Sequence, residues 1–145
     1  MPHLSKSFHI KHRDFIHGGE VSIQIQELMK TIGFDPEQIR RIAICAYESE
    51  MNVVMHGGDG LMSLEMDPDA VIIEVKDDGP GIEDIEMAIQ EGYSTASKED
   101  REMGFGAGMG LPNIKKNADS FEIKSWKGGG THLKMCFWLS RSDEK

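Results

Sequence analysis

From Gly104 to Gly110 every second residue is glycine (Gly104-Phe105-Gly106-Ala107-Gly108-Met109-Gly110), and the run leads straight into Leu111 and a helical pattern. Alternate glycines bare successive backbone N–H groups, and a helix N-terminus adds partial positive charge, so such a segment favours an anion. Two familiar phosphate-binding designs do not fit. In a dinucleotide-binding βαβ unit the glycines follow the first strand, whereas here they follow a polar loop. A Walker A loop continues into Gly-Lys-Ser/Thr, and this one does not. A flexible glycine loop without a ligand is the plain alternative.

The segments around the run read coarsely as follows. Residues 7–12 alternate, with Phe8 and Ile10 between polar neighbours, and predict a first strand. Val21, Ile25, Leu28, Met29 and Ile32 recur at helical spacing, and Gly33 supplies a stop. Asp35-Pro36 then opens a second helix as N-cap and first-turn proline, running to His56 before Gly57-Gly58. Residues 61–66 and 70–76 form a hairpin around Asp67-Pro68-Asp69. A turn at 77–82 and a short helical pattern at 85–89 follow, and residues 91–110 read as a mobile loop. A helix at 111–118 precedes a closing hairpin, 121–126 and 132–139, with a polar tail at 140–145. The 145 residues suit one domain over 1–145. Strand and helices, then hairpin, helices and hairpin, predict an α+β fold: a two-layer α/β sandwich, a mixed sheet with helices on one face.

Two further features carry chemistry. On the second helix Ile39, Ile42, Ala46 and Val53 share the core face, while Glu48 and Asn52, four apart, lie opposite among Ile44, Cys45 and Met55. A polar pair among apolar neighbours fits the wall of a half-buried pocket, although an exposed helix surface also carries such pairs. Glu50 is expected to point to solvent. The other feature is Asp77-Asp78-Gly79-Pro80-Gly81-Ile82, directly after a strand. Its glycines permit close backbone approach to a flat ligand, and a strand-end carboxylate can accept from an exocyclic amine such as adenine's. An ordinary Asp-Gly turn is the competing reading.

In order, Glu-x-x-x-Asn on a helix, Asp-x-Gly-x-Gly after a strand, Gly-x-Gly-x-Gly before a helix and Gly-Thr in the last hairpin resemble the GHKL ATPase superfamily, with its Bergerat ATP-binding fold. The compact length and the stretch Gly108-Met109-Gly110-Leu111-Pro112-Asn113-Ile114-Lys115-Lys116 are similar to the stand-alone anti-sigma factor and switch serine/threonine kinase family. The resemblance implies ATP or ADP and Mg²⁺ as cofactors. It implies Glu48 as general base, Asn52 as Mg²⁺ ligand, and Asp77 on the adenine amine, with Gly79 and Gly81 shaping that wall. Gly106, Gly108, Met109, Gly110 and Leu111 would wrap the phosphates, Thr131 would back the adenine pocket, and residues 91–110 would form a lid in which Lys98 approaches the γ-phosphate. The implied substrate is a STAS-domain, anti-anti-sigma-type protein, with a sigma factor as a further partner. Several members of the family act as dimers, which leaves a homodimer open. Tyr47, Ser49 and Glu50 depart from the residues usual around the family's glutamate, which bears on catalysis more than on nucleotide binding. A nucleotide-gated module that sequesters a regulator without turnover is therefore the second functional reading.

Composition excludes other classes. A formal charge of −9 disfavours nucleic acid as the main partner, because neutralising phosphates takes a Lys/Arg surplus. No run approaches the roughly 20 apolar residues a membrane span needs, and Met1–Lys6 carries no apolar signal segment, so cytoplasm is expected. Cys45 and Cys136 lie far apart and are expected as reduced core residues. His9, His12 and His17 lack metal-ligand spacing, and the ten methionines read mostly as core filler.

Overall fold

A computed structural model describes residues 4–14, 16–56, 58–79, 110–126 and 128–139. In chain order these form β1 (Leu4–Ile10), α1 (Glu20–Ile32), α2 (Pro36–His56), β2 (Gly60–Met66), β3 (Ala70–Asp77), α3 (Gly110–Asn117), β4 (Ser120–Trp126) and β5 (Gly130–Trp138). The five strands make one sheet in the order β1-β2-β3-β5-β4.

The hydrophobic pattern sets which side of the sheet is covered. Met62, Leu64 and Met66 on β2, Val71, Ile73 and Val75 on β3, and Leu133, Met135 and Phe137 on β5 are all buried. Each set recurs at every second residue, and the ladder places them across from one another, for example Leu64 opposite Ile73 and Ile73 opposite Met135. Ile25 and Met29 of α1, Ile42 and Ala46 of α2 and Ile114 of α3 close the same core. The alternate residues carry a polar ladder instead, with Glu74 opposite Lys134 and His132 Nε2 at 2.8 Å from Glu74. Helices thus lie over one face, as expected for an α+β two-layer sandwich.

One detail differs from the expectation. Every described strand pair is antiparallel, so the sheet is not mixed. A parallel pair needs a crossover that returns the chain in its original direction. Here α1 and α2 deliver the chain to β2 running against β1, hairpins set the β2–β3 and β4–β5 pairs, and β5 returns beside β3 running against it.

Local chemistry explains the element ends. Gly33 takes φ 98°, and its N–H reaches the carbonyls of Met29 and Lys30, closing α1. Asp35 Oδ2 accepts from the Gln38 N–H (3.2 Å) at the start of α2. Asp67 Oδ1 accepts from the N–H groups of Asp69 (2.8 Å) and Ala70 (2.9 Å), which turns the β2–β3 hairpin. Cys45 and Cys136 are buried free thiols, as the sequence suggested. Among the described residues no helix is long and apolar enough to cross a membrane.

Candidate functional site

α2 is the middle helix of the layer, with α1 on one side and α3 on the other. Its contacts with α3 follow one stripe of residues three and four apart. Arg41 Nε donates to the Asn117 carbonyl (2.9 Å) and its Nη2 to Asp119 (2.8 Å). One turn on, the Cys45 thiol faces the Ile114 carbonyl (3.8 Å). Another turn on, Asn113 Nδ2 donates to Glu48 Oε2 (2.8 Å). As α2 numbers rise, α3 numbers fall, so the helices run antiparallel and Glu48 meets the first turns of α3. A Cβ built on Gly110 would lie 3.7 Å from Glu48 Oε1, which puts this carboxylate beside the helix N-terminus. Asn52 continues the stripe about 6 Å further along α2, toward the end of α3 that the glycine run enters.

The second half of the site is the end of β3. Asp77 is half-buried and lies opposite Thr131 in the β3–β5 ladder. Its carboxylate accepts from the Gly79 N–H (2.9 Å), and the backbone N–H groups of Thr131 and Gly58 also point to it. Burial pushes the Asp77 carboxyl above the usual carboxylate range, and the neighbouring Asp78 adds to this, while the three N–H donors pull it back. Two glycines make the close packing possible. A Cβ on Gly130 (φ 86°) would collide with the Asp77 carbonyl, and one on Gly58 would collide with the Asp78 carboxylate. Thr131 itself is buried, with its hydroxyl 3.1 Å from that of Ser125.

The candidate residues therefore fall into two groups, Glu48 and Asn52 with Gly110 beside α3, and Asp77, Gly79 and Thr131 at the strand ends. The Leu111 side chain is in the core, which leaves only its backbone for a ligand. Gly81, Gly106, Gly108, Met109, Lys98 and nearly all of the expected 91–110 lid lie outside the described residues. His17, one of the early histidines, hydrogen-bonds Asp14 (2.9 Å), an ion pair that raises the imidazole pKa and lowers that of the carboxyl.

Glu50 contradicts the expectation of a solvent-facing side chain, being only 2% exposed. α1 begins at Gly19, in a left-handed conformation and without a side-chain cap of its own. Glu50 supplies the cap from α2. Oε2 accepts from the N–H groups of Gly19 (3.0 Å) and Val21 (3.1 Å), and Oε1 accepts from Ser22 (3.0 Å). Burial raises its pKa, against the pull of these three bonds. The signal was in the sequence, because position 50 is four residues after Ala46 and three before Val53, on the core face. A carboxylate there must find donors, and an uncapped helix start provides them. Asn113 had no comparable signal beyond its place just after the glycine run.

On the other side of Glu48, α1 and α2 enclose a groove of about 840 Å³. Ile23, Lys30, Phe34, Ile44 and Tyr47 line it, with Glu48 also in its wall; Ile23 and Tyr47 are among the most exposed large apolar residues of the fold. Glu48 thus stands between this groove and the N-terminus of α3. Asn52 and Asp77 do not line the groove.

The family model described as histidine kinase-like ATPase domain matches residues 17–137. The serine/threonine-protein kinase RsbT of Bacillus subtilis is 30% identical over 118 residues, which cover 79% of this chain and 83% of that protein. An anti-sigma F factor of Thermoanaerobacter is 34% identical over 108 residues, 71% of this chain and 72% of the relative. Among solved structures, the SiaB–SiaC complex of Pseudomonas aeruginosa contains a chain with the same fold, at TM-score 0.58 and 11% identity, covering 92% of this chain and 89% of that one.

Proposed function

Because this chain belongs to the histidine kinase-like ATPase domain family, we propose that it binds Mg-ATP beside α2 and transfers the γ-phosphoryl group to a serine or threonine of a regulatory partner protein. The observation that carries this reading is the placement of Glu48. Its carboxylate is half-buried, held by a hydrogen bond from α3, and set between a helix N-terminus suited to phosphate and a groove open to a protein partner.

The residues present suit the nucleotide and metal. Asn52 offers a neutral amide oxygen, a hard donor of the kind Mg²⁺ takes when phosphate oxygens and water complete its shell. Asp77 offers a half-buried acceptor for an exocyclic amine, backed by Thr131. Gly110 opens α3 with backbone N–H groups and the positive end of the helix dipole. Bound ATP supplies the transferable phosphoryl group.

Within this frame Glu48 accepts the proton of the incoming hydroxyl as its oxygen takes up the phosphoryl group and ADP departs. General-base assistance of this kind contributes roughly 10²–10⁴-fold. Most of the remaining catalysis comes from positioning and electrostatics. The partner is of the STAS, anti-anti-sigma type, and the protein works in the cytoplasm; names of relatives as kinase and anti-sigma factor support this. The exposed Ile23 and Tyr47 of the groove suit a protein surface better than a small molecule.

The test is to identify the protein that co-purifies with and without ATP, then follow radiolabelled phosphate into it. Incorporation on serine or threonine supports the kinase reading. ATP-dependent binding of the partner with no incorporation would replace it with a nucleotide-gated binder.

A further inference from the structure

We infer that Asn113 is a positioning residue for the proposed phosphoryl transfer, holding the Glu48 carboxylate in its working orientation from α3; the inference rests on the reading of Glu48 as general base.

A glutamate on a half-exposed helix face turns about three side-chain bonds and samples several rotamers. Here one carboxylate oxygen is tied. Asn113 Nδ2 lies 2.8 Å from Glu48 Oε2. An ionised carboxylate only accepts, so the amide nitrogen, rather than the amide oxygen, must face it. Oε1 is on the Gly110 side, where a Cβ would lie 3.7 Å away. Oε2 is thereby occupied by the tether, and among the described residues Oε1 has no hydrogen-bond partner, which leaves it for a substrate hydroxyl.

The tether stands on a fixed base. Ile114, next to Asn113, is fully buried, and Asn117 Nδ2 donates to the Asn113 carbonyl (2.8 Å). The Cys45 and Arg41 contacts hold the rest of α3 on α2. Groups that orient a reacting side chain work when their own position is locked in this way. Asn113 also rides on the helix that the glycine run enters, so phosphate held at the start of α3 and the amide that orients the Glu48 carboxylate share one rigid element.

A tether that merely joined two helices would resemble the Arg41–Asp119 pair, so the experiment must separate the two roles. Single-turnover transfer of radiolabelled phosphate to the partner is measured for wild type, Asn113→Ala, Asn113→Asp, Glu48→Gln and the Asn113→Ala/Glu48→Gln double variant. Nucleotide affinity is measured for each by calorimetry. Asn113→Ala is expected to lower the transfer rate roughly 10- to 100-fold while nucleotide affinity stays within about threefold, a positional loss of the size that misplacing a reacting group produces. Asn113→Asp keeps the shape but sets a carboxylate against Glu48, and is expected to fall below Asn113→Ala. In the Glu48→Gln background the alanine substitution should cost nothing more, because Asn113 acts through that carboxylate.

Equal fold-losses in both backgrounds overturn the inference, as does a wild-type rate for Asn113→Ala beside an inactive Glu48→Gln; either leaves the proposed function standing. Loss of nucleotide affinity in step with rate also overturns it, by assigning Asn113 to the nucleotide or to the fold. A wild-type rate for Glu48→Gln, or no transfer by wild type, overturns the functional reading and this inference with it.

Discussion

Removing the buried Glu50 carboxylate should cost this fold a large part of its stability without touching the nucleotide. In Glu50→Ala the N–H groups of Gly19, Val21 and Ser22 lose their acceptor together. The first N–H groups of a helix have no partner within it, so α1 cannot compensate from its own backbone. An orphaned buried donor costs about 1–3 kcal/mol. The lower end applies here, because Gly18, Gly19 and Ser22 border the α1–α2 groove and water can enter the vacated space. Three donors at about 1 kcal/mol each give about 3 kcal/mol, or roughly 6–12 °C in Tm for a chain of this size. Glu50→Gln keeps one acceptor oxygen but turns an NH₂ toward a donor, and should lose about 1–2 kcal/mol. Burial holds the Glu50 carboxyl above its ordinary 4.5, so the folded chain keeps this proton to higher pH than the unfolded chain. Its contribution is full below 4.5 and falls as pH rises through the folded value, a decline that Glu50→Gln should lack. Urea unfolding at several pH values measures all three. A Glu50→Ala variant within about 0.5 kcal/mol of wild type would refute the cap.

One further substitution and one labelling experiment probe the site. Asp77→Asn should weaken adenine nucleotides by about one to two decades in calorimetry, the worth of a charge-assisted hydrogen bond, and an unchanged Kd would remove Asp77 from the adenine site. Burial pushes the Cys45 thiol up to about 12, so the native protein at pH 8 should resist alkylation there until it is unfolded. Rapid native labelling of Cys45 would contradict the packing of α2 on α3.

The parts of this molecule written in repeating patterns were legible from sequence. The β-like runs at 61–66, 70–76 and 132–139 and the helical spacing of α1 and α2 located these elements, the same spacing placed the core face of α2, and Gly33 and Asp35-Pro36 marked the join between the helices. Strand direction was not legible, because alternation fixes which face a residue occupies but not which way its neighbour runs. The pairing of Glu48 with Asn113 joins residues 65 apart, and no local pattern encodes it. Glu50 differs for another reason: the helical period puts it on the core face, whereas its charge alone points to solvent. The buried carboxylate was affordable only because another helix presented three free donors, which a reading of α2 alone could not supply.

The central claim is that Glu48 takes the proton in phosphoryl transfer, and Glu48→Gln tests it most directly. The change keeps the shape of the side chain and removes its basicity. Nucleotide affinity by calorimetry and radiolabelled phosphate transferred per minute to the co-purified partner are measured on the same preparation. The account predicts affinity within a few-fold of wild type and a transfer rate lower by about 10²–10⁴-fold. A Glu48→Gln variant that transfers phosphate as fast as wild type would contradict it.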